Sequence, residues 1–86
     1  MTQGEQGRAE LEALRRMVVA WAEGYAAQAK TAEDEAFFGR ELLLEVEEVV
    51  YPYLVRLEES GYIGVSDAAE FMRFCEGQAR ELAAPG

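Results

Sequence analysis

AEDEAFFGRELLLEVEEVVYPYLVRLEESG, residues 32–61, is the segment that decides the fold class. Two apolar rows run through it: Phe38, Leu42, Val46, Val49 and Tyr53 form one, and Leu43, Val46, Val50, Leu54 and Leu57 the other. Steps of three and four align side chains along one side of a helix that turns every 3.6 residues. Two rows make an apolar arc wider than a single helix pair requires. The segment is therefore expected to be a central helix that meets more than one neighbour, in a bundle or at a dimer seam.

The ends of this helix are marked. Thr31 suits the N-cap, because its hydroxyl can accept a free amide of the first turn. Glu33, Asp34 and Glu35 follow where the unpaired N–H groups favour negative charge. Ser60 and Gly61 close it, glycine being suited to the left-handed residue after a helix. Pro52 lies inside the run, cannot donate to the carbonyl of Glu48, and crowds the preceding turn. Because the apolar period continues in phase through Tyr53, Leu54 and Leu57, one helix over 32–59 kinked near Pro52 is expected, with a break and restart as the alternative. Such a helix spans roughly 42 Å at 1.5 Å per residue, long enough to call for bending or a second subunit.

On the N-terminal side, Leu11, Leu14, Val18, Trp21, Tyr25 and Ala29 predict a first helix over about 8–30, preceded by a flexible arm, residues 1–7. Ala20, Gly24 and Ala27 form a strip without bulk, where another helix is expected to cross closely. On the C-terminal side, a short connection over 62–65 leads to a third helix over about 66–83. Ser66 or Asp67 is its expected cap, with Glu70 at capping-box spacing. Ala68, Phe71, Cys75, Gln78 and Leu82 give its inner row, widened by Met72, Ala79 and Ala83. The result is a single all-α domain over 8–84, a small three-helix bundle. Eighty-six residues bury only a thin core, so completion by homodimerisation is expected.

The charge is lopsided. Seventeen acidic residues stand against eight basic ones, a formal net charge of -9. Signs cancel up to residue 31, whereas residues 32–60 carry nine acids against Arg40 and Arg56. Nucleic-acid affinity comes largely from Lys and Arg releasing counterions, so direct binding to DNA, RNA or anionic lipid is disfavoured. A basic protein surface fits the charge better. No apolar run reaches the length of a membrane span, and the N-terminal residues lack the order of a secretory signal, so the expected setting is cytoplasmic.

The catalytic inventory is short. There is no histidine and one cysteine, which excludes histidine-based triads and a structural zinc site of four Cys and His within one chain. Cys75 sits among Phe71, Phe74 and Glu76 and reads as a small core residue. No phosphate loop, dinucleotide fingerprint or calcium loop occurs, and neither cofactor nor metal is assigned. The chain reads as a non-catalytic interaction module.

The candidate contact residues lie on or beside the central helix. Phe37 and Phe38 are adjacent and point about 100° apart, so one should leave the core unless a second subunit covers it. Tyr51, Tyr53 and Tyr62 surround Pro52 and the helix end, and tyrosine suits a partly wet contact. Glu41, Glu45 and Glu48 form an acidic row suited to a basic partner. These eight residues make up the candidate surface, for a second copy or for a basic protein. The alternatives are a bundle that binds a divalent metal or small ligand through Glu41, Glu45 and Glu48, and an acidic regulator of a nucleic-acid-associated protein.

Arg56-Leu57-Glu58, then Ser60-Gly61, followed by a short apolar connection into an acidic helix containing Ala and Phe, is faintly similar to the small subunit of exodeoxyribonuclease VII. The similarity covers roughly a quarter of the chain. It implies a short helical chain that supports a large nuclease subunit without catalysing anything. This sequence departs from that pattern at Glu59, an apparent insertion, at Gly64 in place of proline, and at Phe74 and Cys75 where Glu-Gly is looked for. It illustrates the accessory-subunit class and assigns no family.

Overall fold

The described residues fold into three helical rods, α1 Gln3–Gln28, a long central rod, and α4 Val65–Ala83. A computed structural model describes residues 2–83. The central rod consists of α2 Ala32–Glu45, a π turn Val46–Val50 and α3 Tyr51–Glu59, with no non-helical residue between them. Short links at 29–31 and 60–64 make the rods successively antiparallel. The molecule measures 45 × 19 × 18 Å with a radius of gyration of 13.9 Å, against about 12 Å for a compact domain of this length. It is a slender all-α three-helix bundle.

α1 begins earlier than its periodicity suggested, which corrects the arm expected over residues 1–7; Met1 lies outside the described residues. The Thr2 hydroxyl accepts from the Glu5 amide and starts the helix. The Gln3 side-chain amide donates to the Ser60 carbonyl, and Gly7 is buried beneath the backbone of Tyr62. The glycines that suggested a frayed arm thus include one that lets a helix approach a loop closely. By contrast, Gly24 has nothing near its missing Cβ, and Ala20, Gly24 and Ala27 are exposed. The close crossing expected there lies instead between α2 and α4, where Gly39 meets the Ala79 carbonyl and the Ala83 Cβ.

The central rod starts and stops as its sequence dictates. Thr31 Oγ1 accepts from the Asp34 amide, while Asp34 Oδ2 accepts from the Lys30 amide. At the other end the Tyr62 amide donates to the Leu57 carbonyl and the Gly61 amide to Glu58, the paired bonds of a Schellman turn. Gly61 takes φ +81°, where a Cβ is costly.

Between these ends Leu42, Val46, Val50 and Leu54 are spaced four apart and are at most 1 % exposed. Four residues overshoot a 3.6-residue turn by about 40°, so three such steps would swing the row by about 120°. The π turn, in which the Tyr51 amide donates to the Val46 carbonyl, accommodates more residues per turn and takes up that drift. Val49, which periodicity assigned to the core, is half exposed as a result. Pro52 and Glu48, whose carbonyl it would serve in a regular α-helix, both lie on the solvent side of the rod.

α4 begins at Val65, with Gly64 as the residue before its first turn, in place of the expected Ser66 or Asp67. The Ala68 amide donates to the Gly64 carbonyl, and Asp67 Oδ2 reaches back to accept from the Gly64 amide. Asp67 is therefore the third residue of the helix, serving as the acidic half of a capping box. Its inner row of Phe71, Cys75, Ala79 and Leu82 closes on Leu14 and Val18 of α1, the Leu42 to Leu57 row and Ile63. Among the described residues no polar or charged side chain is buried. Hydrophobic burial and close packing thus hold the bundle together.

Candidate protein-binding surface

Because α1 and α4 cover the inner arc of the central rod, its outer side is left to solvent. Phe37, Leu44 and Tyr51 are 46, 49 and 52 % exposed there. They are seven residues apart, and seven residues fall about 20° short of two full α-turns. Phe37 and Leu44 therefore share one line along α2. The π turn rotates Tyr51 further round, and it lines a small apolar depression of about 170 Å³ with Val55, Ala68, Ala69 and Met72. A second depression, of about 350 Å³, lies along the α2–α4 seam between Leu43 and Ala83. Both are lined by the central rod and α4, with nothing from α1.

The eight candidate residues separate into two groups. Phe37, Glu48, Tyr51 and Tyr62 are exposed. Tyr62 stands apart, at the bundle end beside Gly61 and Ile63. Phe38, Glu41, Glu45 and Tyr53 are only partly exposed. The Phe38 ring stacks on Tyr25 at 5.2 Å between centroids and meets the edge of Phe37 at 5.4 Å. Glu45 Oε1 accepts from the Tyr25 hydroxyl at 3.1 Å. The Tyr53 hydroxyl donates to Glu10 Oε2 at 2.7 Å. Phe38, Glu45 and Tyr53 thus join the central rod to α1.

Leu44 and the depressions beside α4 were missed by periodicity alone. Leu44 belongs to neither inner row, but its place seven residues from both Phe37 and Tyr51 was a visible signal. Val65, 74 % exposed at the start of α4, is a further apolar side chain in water.

The electrostatics separate structure from surface. Burial and the Glu45 hydrogen bond raise the Tyr25 pKa above its ordinary 10.0. The bond to Glu10, then burial, does the same for Tyr53. Burial pushes the Cys75 thiol up to about 11, against the opposing pull of Arg15. Arg15 itself lies over the Phe74 ring, 4.6 Å from its centroid. A buried thiol held protonated makes a poor nucleophile. Among the described residues no three Cys, Asp or Glu side chains converge as metal ligands, and no helix is long and apolar enough to cross a membrane.

Compared with known protein families, with characterised proteins and with solved structures, the chain matches none of them.

Proposed function

We propose that this chain is a non-catalytic protein-interaction module, an adaptor, accessory subunit or regulator, that binds through the outer side of its central rod. One observation carries the reading. Phe37, Leu44 and Tyr51, each about half exposed, follow one another at seven-residue steps along the central rod, among exposed positions that include Glu33, Glu47, Glu48 and Glu59 as well as Arg40 and Arg56. Large apolar side chains grouped on a surface lose the benefit of burial until a partner covers them, and such groups mark contact sites. Tyr51 and Val55, which line a depression with Ala68, Ala69 and Met72, widen the proposed surface toward α4.

Self-association through this side is the second reading. It is favoured by the thin, elongated bundle, whose radius of gyration exceeds that of a compact chain of its length. Affinity capture from the native cell, run in parallel with wild-type bait and a Leu44→Asp bait of unchanged helicity, tests the proposal. A protein or second copy retained by the first and lost by the second is the expected result. Identical captures, or none accompanied by a strictly monomeric mass at all concentrations, would count against it.

A further inference from the structure

We infer that the occupant of this surface is a basic amphipathic helix, a deepening that rests on the interaction reading just given. Phe37 and Leu44 lie about 10 Å apart on one line of α2, and Tyr51, one heptad further along but rotated toward α4, extends the apolar side chains over about 21 Å of the rod, two heptads of a partner helix. Shape alone does not choose between such a partner and a second copy. Charge does. Glu33, Glu41, Glu47 and Glu48 accompany the line on α2 and the π turn, with Arg40 as their lone counterion there. The segment 32–60 as a whole carries a net charge of -7.

Two copies meeting on this side would place that charge against itself, and like-charge juxtaposition is a strong device for excluding a partner. The acids near Phe37 and Leu44 are not consumed internally in the way Glu10 and Glu45 are. Glu33, Glu47 and Glu48 are exposed. A helix with Leu, Ile or Met at heptad spacing and Lys or Arg on the flanks of that stripe satisfies both parts of the surface. Apolar anchors give the affinity of a helix in a groove, and the flanking cations give orientation and association rate.

The test uses two synthetic helical peptides and the full chain. Both peptides carry Leu at the same heptad positions; one has Lys and Arg on the flanks, the other Glu. Fluorescence anisotropy is expected to show the basic peptide binding and the acidic one failing to bind. Leu44→Asp, and separately Glu41→Lys with Glu48→Lys, should each weaken binding by about tenfold or more, as truncation of a contact centre does. Raising ionic strength from roughly 50 to 500 mM should weaken it further, since exposed charge pairs are screened. Circular dichroism of each variant confirms that the helices remain.

Equal affinity for both peptides, or indifference of basic-peptide binding to Leu44→Asp, overturns the inference. Failure of both peptides, together with a concentration-dependent dimer abolished by Leu44→Asp, overturns the basic partner while leaving the interaction reading in place. Failure of both peptides with a monomer throughout removes both.

Discussion

Gly7 of α1 lies directly beneath the carbonyl of Tyr62, so close that any Cβ would strike backbone. This contact joins the first turns of the chain to the loop between the central rod and α4. Gly7→Ala should therefore destabilise the protein by about 1–3 kcal/mol, because overpacking against backbone outweighs the helix propensity gained. Gly24→Ala in the same helix should stabilise it by up to about 1 kcal/mol, since nothing lies within 4 Å of the new methyl group. Thermal denaturation of the two variants should give midpoint shifts of opposite sign, about 4–8 °C per kcal/mol at this size. Shifts of the same sign would refute the assignment of Gly7 to a packed position.

Two tyrosine–carboxylate bonds join α1 to the central rod, Tyr25 to Glu45 and Tyr53 to Glu10. Both tyrosine pKa values are raised in the folded state. The native protein therefore holds these protons more tightly than the unfolded chain does. That contribution to stability is fully present below about pH 10, the unfolded value. It is lost as pH rises through the folded-state values. Cys75 acts in the same direction, its folded value of about 11 lying above the ordinary one. The double variant Tyr25→Phe, Tyr53→Phe should be less stable at pH 7 by about 1 kcal/mol per lost bond. It should also lose less stability than wild type between pH 9 and 11, measured by urea denaturation.

Cys75 should react slowly. At pH 8 its raised pKa leaves a thiolate fraction on the order of 10²-fold smaller than that of a free cysteine, before access is considered. Labelling with a disulfide reagent should be slower than in the urea-unfolded chain by at least that factor. Reaction at the unfolded rate would contradict its burial between α1, the central rod and α4.

Helix number, order and most ends were legible because they rest on local chemistry: Thr31 and Asp34 at one cap, Ser60 and Gly61 at another, and the steps of three and four between them. The errors share one cause, that spacing does not report what lies opposite. Gly7 and Gly24 are the same residue in the same helix, yet only Gly7 faces a backbone, supplied by a loop distant in sequence. Val49 fits the α-period and is turned out because Leu42, Val46, Val50 and Leu54 hold a four-residue spacing that only a π turn keeps inward. Of the candidate surface, Phe37 was legible because it adjoins Phe38 and points about 100° away from it, and Tyr51 as a tyrosine beside Pro52. Leu44 was overlooked although its place seven residues from both Phe37 and Tyr51 was visible, because spacing alone does not show that no neighbouring helix covers it.

On the proposed function, the outer side of the rod formed by α2 and α3 meets another macromolecule in the cell. Photo-crosslinking tests this most directly, with a benzophenone-bearing residue placed at Leu44, at Tyr51 or, on the exposed side of α1, at Ala27. Discrete crosslinked species from the first two positions and none from the third are the expected result. Adducts from Ala27 alone, or from none of the three, would contradict the account.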